Sequence, residues 1–245
     1  MGELILRNIY KIFIKFVLHD IIRLGSRESA IYSPVPGICF QEYIMFKKML
    51  CVIVLAALPF SPIYAADIGK PAPAFDVKDI NGQEQSPGEY KGKVVVIEWN
   101  NPSCPFVKKH YGSGNMQALQ EYALAKGVIW LTVNSGAPGK EGYMDATAAK
   151  AKITEVGAHE TAYILDPDGT IGKLYGAKAT PHMFVIDTTG NLAYAGAIDN
   201  KPTPDPEDIK SADNYVRDAI NALLAGKQVE VAHTQAYGCS VKYKD

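Results

Sequence analysis

The run VVVIEW, residues 94–99, constrains the fold of this chain more than any other feature, because apolar and β-branched residues follow one another without alternation. A strand that is buried on both faces has this pattern. Such a strand lies at the centre of a sheet that is covered on both sides. It leads almost directly to Cys104 and Pro105, where a new helix is expected to begin.

Strand and helix patterns alternate after this strand. The runs at residues 128–135 and 161–166 predict two further buried strands. We expect one helix with Asn115 as its N-cap and Gly127 as its stop, and another over residues 147–156. This alternation favours right-handed crossovers and a parallel core of the sheet.

Antiparallel pieces are expected on either side of this core. Asn81 and Gly82 form a turn signal between two short strand-like segments and predict an N-terminal hairpin. The segments HMFVID and LAYAGAID, around a turn at residues 189–191, predict a second one. The fold class is therefore α/β, with a central mixed sheet flanked by helices.

The end of the chain is expected to contain a loop, a helix and a tail. Residues 199–208 are rich in proline and acidic side chains and predict an exposed loop that borders the site. A helix with Ser211 as N-cap and Gly226 as stop follows. The tail begins at Val229 and carries Cys239.

The composition indicates a globular protein and excludes some partners. Hydrophobic residues make up 47% of the 245 residues and charged residues 21%. The formal net charge is -1, and no long run of one charge occurs. A nucleic acid is therefore not an expected partner.

A signal-peptide pattern occupies residues 45–65, with a basic start, an apolar core at 50–60 and small residues before a cleavage point after Ala65. The core is too short for a spanning helix, so we expect export, to the periplasm in a bacterium, rather than a membrane anchor. Residues 1–44 are interpreted as an untranslated or non-globular upstream segment. Residues 66–245 form the expected domain.

Residues 1–44 allow a second interpretation. Arg7, Lys11 and Lys15 recur at helical spacing among apolar residues, which is typical of a helix lying on a membrane surface. We favour a translation start at Met45 or Met49.

Two cysteines remain when residues 1–65 are removed, Cys104 and Cys239. Two cysteines in an exported protein suggest a pair, but sequence alone does not bring their backbones within bridging distance. A plain stabilising disulfide therefore stays open.

Cys104 stands where a strand is expected to meet a helix N-terminus. Free amide hydrogens and the helix dipole favour negative charge there, which lowers a thiol pKa and makes the thiolate available as a nucleophile. Lys108 and Lys109 add positive charge within about one helical turn, and we assign the supporting role to Lys108 rather than Lys109.

Three segments carry a resemblance to a known family: IGKPAPAFDVKDINGQE, YKGKVVVIEW and DPDGTIGKLYGAKATPHMFVID. Residues 68–197 resemble a redoxin domain of the thioredoxin superfamily, in the alkyl hydroperoxide reductase and thiol-specific antioxidant group. The resemblance implies a thioredoxin-like fold. It also implies that Pro181, after Thr180, is a cis proline that faces Cys104 and leaves a backbone edge for an incoming chain.

The same resemblance suggests supporting side chains. Glu98 matches a buried acid that exchanges protons with the thiols, although an end-of-strand glutamate in water is an equal alternative. His182 follows Pro181 and is expected near the sulfur, where it would tune the thiol.

The chain departs from both main branches of that superfamily. Val107 stands where a thioredoxin has its second cysteine, which excludes direct exchange through a CxxC motif. Asn101 stands where a peroxiredoxin has a threonine or serine, and Arg217, the only arginine after residue 65, lies in the late helix. The usual peroxide-activating set is therefore missing.

The tail VAHTQAYGCSVKYKD resembles the ending of a peroxiredoxin-like branch in which a glycine-cysteine pair follows the last helix. By this resemblance Cys239 is a resolving thiol that attacks a sulfenic acid or mixed disulfide on Cys104. Gly238 gives the backbone freedom that such an approach requires.

The function expected from these observations is an exported thiol-dependent oxidoreductase. It would reduce peroxides or exchange protein disulfides, and an unidentified thiol reductant would regenerate it. No cofactor or metal is expected, because the histidines are scattered without ligand spacing. The alternative is a non-catalytic binding module in which Cys104 and Cys239 form a structural disulfide. The oligomeric state is not predicted.

Overall fold

The structure is a computed structural model that describes residues 66–244. The predictions for residues 1–44 and 45–65 lie outside the described residues. The described strands are β1 Val77–Lys78, β2 Glu84–Gln85, β3 Val95–Trp99, β4 Ile129–Asn134, β5 Ala162–Leu165, β6 Ala179–Thr180, β7 His182–Ile186, β8 Leu192–Gly196 and β9 Cys239–Ser240. The helices are α1 Pro105–Gly112, α2 Asn115–Ala125, α3 Ala146–Val156, α4 Thr170–Tyr175 and α5 Tyr215–Leu224, with 3₁₀ turns at Pro87–Tyr90 and Pro206–Ser211.

A five-stranded sheet forms the centre, in the order β5-β4-β3-β7-β8. Strand β3 is parallel to β4, which is parallel to β5, whereas β7 runs antiparallel to both β3 and β8. All five residues of β3 are buried. The structure thus confirms the mixed sheet, the buried central strand and the hairpin of β7 and β8.

Side chains on the two faces of the sheet form separate cores, because successive residues of β3 point to opposite sides. Trp99 packs with Phe184 and Tyr175 on one face, at ring distances of 5.2 and 5.4 Å. Trp130 and Tyr194 are buried on the other face, beneath α2 and α5. Burying each such ring stabilises the fold by roughly 2 kcal/mol.

Two predicted helix starts are wrong. Gly114, in a left-handed conformation, is the N-cap of α2, and the Asn115 side chain instead contacts His110. The N-cap of α5 is Asn214, whose side chain accepts from the Arg217 amide at 2.8 Å. Ser211 ends the preceding 3₁₀ turn, so it is not available as a cap.

The smaller predicted pieces are mostly confirmed. The hairpin of β1 and β2 turns at Gly82, whose φ of 80° suits a glycine. Residues 202–207 are exposed, as expected for the proline-rich loop. Asp199, which was assigned to that loop, is buried instead. Its carboxylate accepts hydrogen bonds from the Tyr237 hydroxyl of the tail and from the Lys201 amide.

The tail after α5 is ordered along the domain by backbone pairing. The Ala195 amide of β8 donates to Ala232 at 3.1 Å, and Thr234 donates back to Ala195 at 3.2 Å. Strand β9 then pairs antiparallel with β6. Finally, the Tyr243 hydroxyl donates to the Ala177 carbonyl at 2.8 Å. The tail therefore crosses the part of the domain that carries the cis proline.

Candidate functional site

Cys104 lies between β3 and α1, as predicted. It is the N-cap of α1, Pro105 is the first helical residue, and the cysteine side chain is fully buried. The Cys104 carbonyl accepts from the Lys108 amide at 2.9 Å, which closes the first turn of the helix. The sulfur therefore sits against amide groups of the helix N-terminus, which favour a negative charge.

A second segment approaches the sulfur from the sheet. The Thr180–Pro181 peptide bond is cis, as the resemblance implied. The sulfur of Cys104 lies 3.1 Å from the Thr180 carbonyl oxygen, to which the thiol donates. The predicted juxtaposition of this loop and Cys104 is present.

The tail brings the other cysteine to the same place. Thr180 and Cys239 are directly opposite in the β6–β9 pair, and the Thr180 hydroxyl donates to the Cys239 carbonyl at 3.4 Å. Gly238 has a φ of 126°, and a β-carbon there would lie 2.1 Å from the Thr180 oxygen. Only glycine fits this close approach. Cys104 and Cys239 are both free thiols in the structure.

Hydrogen bonds and burial give the two thiols different pKa values. Burial raises the pKa of Cys104, but hydrogen bonds from the Cys239 thiol, the Thr180 hydroxyl and the amides of Val107 and Cys239 outweigh burial and lower it. Burial, the bond to Cys104 and the charge on Cys104 raise the pKa of Cys239 to about 11. Cys104 is therefore the more acidic thiol of the pair.

Glu98 is fully buried in β3, so the alternative of a solvated glutamate is wrong. Asn100 donates to its carboxylate at 2.9 Å, and Tyr111 and Trp130 donate at 3.1 Å. Burial raises the pKa of Glu98 despite these bonds. The Cys104 thiol is not among its described hydrogen-bond partners, so proton exchange with the thiols stays a prediction.

The structure does not bring Lys108 to the sulfur. Its side chain is exposed and lines a cavity of about 260 Å³ together with Tyr111 and Glu160. Lys109 is the buried lysine, and its ammonium donates to the Lys201 carbonyl at 2.8 Å. The preference for Lys108 over Lys109 therefore has no contact to support it.

His182 packs against the sheet. Its ring lies 4.4 Å from that of Phe184, and its Nδ1 accepts from the Lys178 amide at 3.3 Å. Burial, together with the nearby His233 and Lys178, lowers the pKa of His182 to about 4. It is neutral near pH 7, and tuning of the thiol by His182 stays a prediction.

Three polar side chains beside the site were given no role by sequence reasoning, although Asp199 belongs to the stretch predicted to border the site. His110 of α1, Asp199 after β8 and Tyr237 of the tail form one hydrogen-bonded group, in which His110 and Asp199 are buried and Tyr237 is half-buried. Tyr237 is an aromatic residue directly before the Gly238–Cys239 pair, which was the available signal.

Residues 66–244 contain neither a cluster of metal-ligating side chains nor a membrane-spanning helix. No three His, Cys, Asp or Glu side chains in this range are grouped as metal ligands. None of its helices is long and apolar enough to cross a membrane.

Comparisons with known proteins identify relatives of the domain. The sequence model of the AhpC/TSA family matches residues 68–195. Thiol:disulfide interchange protein DsbE of Pseudomonas aeruginosa is 27% identical over 146 residues, which cover 58% of this chain and 73% of that protein. Thiol-disulfide oxidoreductase ResA of Geobacillus thermodenitrificans is 24% identical over 160 residues, covering 62% and 86%.

A solved structure shares the fold. The crystal structure of an uncharacterized conserved protein from Geobacillus kaustophilus has a TM-score of 0.61 and 27% identity, covering 73% of this chain and 93% of that one. The family match includes Cys104, Thr180 and Pro181, but it ends before the tail that carries Cys239.

Proposed function

The chain belongs to the AhpC/TSA family and has a thioredoxin-like fold, and from that premise we propose a thiol-disulfide oxidoreductase with Cys104 as nucleophile and Cys239 as resolving thiol. The observation that carries this proposal is the position of Thr180 between the two cysteines: its carbonyl oxygen lies 3.1 Å from the Cys104 sulfur, and it stands directly opposite Cys239 in the β6–β9 pair. The names of the two curated relatives, an interchange protein and an oxidoreductase, support it.

The reaction takes two steps. The Cys104 thiolate attacks one sulfur of a disulfide RS–SR′, forms Cys104–SR and expels R′S⁻, which takes the proton from Cys239. The Cys239 thiolate then attacks the Cys104 sulfur, forms the Cys104–Cys239 disulfide and expels RS⁻. The substrate gains two electrons and the protein loses two, and an external thiol reductant returns them.

The coupling between the thiols gives these steps an order. Cys239 is held as a thiol partly by its bond to Cys104 and by the Cys104 charge. Both influences vanish when the Cys104 sulfur is bonded to substrate, so the pKa of Cys239 falls. The second nucleophile is therefore released by the first step.

Peroxide reduction is the second candidate. Cys104 is fully buried, and the tail pairs along the edge beside it, which favours a small oxidant over a folded protein. The thiolate would take one oxygen from ROOH, giving Cys104–SOH and ROH after proton uptake. Cys239 would then form the disulfide and release water. Both ends of the Asn101 side chain are already hydrogen-bonded elsewhere: its oxygen accepts from the Ser103 amide at 2.8 Å, and its nitrogen donates to the Glu141 carbonyl at 3.4 Å.

Export completes the proposal. The signal-peptide pattern of residues 45–65 supports secretion, to the periplasm in a bacterium, of a mature domain that begins at Ala66. N-terminal sequencing of the purified protein tests this: a first residue of Ala66 is expected, and a retained Met45 would contradict it.

Peptide mass spectrometry tests the two-cysteine reaction. The reduced protein is treated with hydroxyethyl disulfide or with hydrogen peroxide, alkylated and digested. We expect a Cys104–Cys239 bridge in the wild type, none in Cys104→Ser, and a mixed disulfide or sulfenic acid on Cys104 in Cys239→Ser. A Cys104 that stays an unmodified thiol and is never bridged would refute the proposal. The faster of the two reagents identifies the substrate class.

A further inference from the structure

Two tyrosines of the tail lie on either side of Cys239 and donate hydroxyl hydrogen bonds of different kinds. Tyr243, four residues after Cys239, donates to the neutral Ala177 carbonyl at 2.8 Å. Tyr237, two residues before Cys239, donates to the buried carboxylate of Asp199. A hydrogen bond to a charged acceptor is stronger than one to a neutral acceptor.

The bond from Tyr237 to Asp199 is the last in a series of hydrogen bonds in which each side chain donates to the next. We call this series the tail latch; it consists of Asn115, His110, Tyr237 and Asp199. The amide of Asn115 donates to Nδ1 of His110 at 2.8 Å, so the ring proton is on Nε2. Nε2 lies 3.3 Å from the Tyr237 oxygen and donates to it. The Tyr237 hydroxyl therefore accepts from His110 and donates its own hydrogen to Asp199.

The carboxylate at the end of the latch depends on this donor. Asp199 is only 2% exposed, and its Oδ1 also accepts from the Lys201 amide at 2.9 Å. Its Oδ2 has no hydrogen-bond partner among the described residues. Burial, together with the charge of Lys109, lowers the pKa of His110 to about 4 against the influence of Asp199, so His110 carries no charge near pH 7 to offset the carboxylate. A buried carboxylate that loses a donor is costly.

The ring of Tyr237 packs against α1, the helix that follows Cys104. It lies 5.8 Å from the ring of Phe106, two residues after Cys104. The Lys109 ammonium lies 5.7 Å from its centroid. The residue that leads the tail to Cys239 is therefore packed on the helix that begins at Cys104.

We propose that Tyr237 is a positioning residue for the resolving step: its hydroxyl, paired with Asp199, holds the tail so that Cys239 stays beside Cys104. This inference rests on the proposed function and adds a residue to it. When the tail detaches, water can reach Asp199, whereas a docked tail without the hydroxyl leaves the carboxylate short of a donor. Loss of the hydroxyl therefore shifts the tail towards the detached state.

The test compares Tyr237→Phe with the matched control Tyr243→Phe. Reduced full-length protein is mixed with hydroxyethyl disulfide and quenched by alkylation, and intact mass gives the mixed disulfide on Cys104 and the Cys104–Cys239 bridge over time. We expect Tyr237→Phe to slow conversion of the mixed disulfide to the bridge by roughly tenfold, and Tyr243→Phe by less than about threefold.

A second readout separates positioning from a general loss of stability. The pH midpoint of Cys104 alkylation is measured on the folded variants, with folding verified by circular dichroism. The Cys239 thiol stabilises the Cys104 thiolate, so Tyr237→Phe is expected to move the midpoint to higher pH, whereas Tyr243→Phe leaves it in place. A purely structural role would lower the melting temperature and leave this midpoint unchanged.

A double variant tests the part played by the carboxylate. Tyr237→Phe with Asp199→Asn leaves no buried charge short of a donor, so its bridging rate is expected within about threefold of the wild type. If Tyr237→Phe alone does not fold, the double variant carries the test, and a tenfold deficit there overturns the inference.

The outcomes keep the two proposals apart. A bridging rate and an alkylation midpoint equal to the wild type in folded Tyr237→Phe would overturn the latch and leave the proposed function intact. A wild type that forms the mixed disulfide but never the bridge would overturn the proposed function itself.

Discussion

The two thiols of the site are held by very different parts of the molecule. Cys104 follows a strand that is buried along its whole length and begins a helix, so the centre of the fold fixes its position. Cys239 lies in a two-residue strand of the tail and is held there by its pairing with Thr180. The core therefore sets the position of Cys104, whereas a two-residue strand of the tail positions Cys239.

Val107, which stands where a CxxC protein has its second cysteine, illustrates the difference between a thiol held by the core and a thiol held by the tail. Val107 is buried in α1, one turn after Cys104, and only its backbone amide contributes to the thiolate. A thiol there would be as fixed as the nucleophile. A thiol on the tail is instead held by strand pairing. In the proposed reaction, local opening of the tail would control both resolution and access to Cys104.

Detaching the tail by a clash is expected to have the largest effect. In Gly238→Ala the new β-carbon would lie 2.1 Å from the Thr180 oxygen, so β9 cannot pair as it does. We expect bridging by hydroxyethyl disulfide to fall by about 100-fold, in line with the loss of about 3 kcal/mol of docking energy. Intact mass over time measures it.

Gly226→Ala is the matched control for that variant. Gly226 also has a positive φ, 68°, but a β-carbon there meets nothing within 4 Å. It carries the backbone strain without the clash, so bridging should stay within about threefold of the wild type. Equal bridging in Gly238→Ala and Gly226→Ala would show that the tail need not dock.

Moving the second thiol to the helix tests whether the two locations are interchangeable. Residues three apart on a helix face the same side, so Val107→Cys in a Cys239→Ser background places a thiol next to Cys104. We expect this double variant to form a bridge between Cys104 and the introduced thiol, whereas Cys239→Ser alone keeps the mixed disulfide on Cys104, as measured by peptide mass spectrometry. Absence of that bridge would mean that the helix position is not competent.

A smaller effect concerns the acidity of Cys104. Because the Cys239 thiol donates to the thiolate, Cys239→Ala should raise the Cys104 pKa and move the alkylation midpoint to higher pH. Ser240→Ala, at the exposed neighbouring position of β9, is the control and should not move it. Coincident curves for all three proteins would contradict the proposed coupling.

The last effect concerns the stability of the domain rather than the reaction: the free energy of unfolding is expected to depend on pH through His110. Burial lowers the pKa of His110 to about 4, so the unfolded chain takes up the proton first as pH falls. Stability contributed by neutral His110 is complete above about pH 6.5 and is lost towards pH 4, by about 3 kcal/mol. His110→Gln should flatten urea-unfolding free energies over that range, and an unchanged slope would contradict this cause.

The position of Cys104, at the junction of β3 and α1, could be predicted from local sequence patterns. The apolar run of β3 and the cysteine before Pro105 specify a strand and a helix start within a dozen residues, so Cys104 could be placed from sequence. The cis proline and Cys239 came from family resemblance, because nothing local in Thr180–Pro181 distinguishes a cis bond.

The tail latch could not be predicted, because its members are far apart in the chain. His110 and Tyr237 are separated by 127 positions, and only the route of the tail brings them together. Asp199 stands in a proline-rich acidic stretch whose composition predicts solvent exposure, yet the Tyr237 hydroxyl makes its burial possible. The burial of Lys109 rather than Lys108 could not be predicted either, since a fully buried lysine is rare. The supporting role of Lys108 stays a prediction.

The reduction potential of the Cys104–Cys239 pair tests the central claim most directly. The protein is equilibrated with dithiol and disulfide buffers of graded potential, and alkylation followed by mass spectrometry gives the bridged fraction. If the Cys104–Cys239 disulfide is formed and reduced in every reaction cycle, its reduction potential is expected to lie above about -300 mV. A value well below about -300 mV, with a bridge that the thiol reductant leaves intact, would show a structural disulfide and contradict the account.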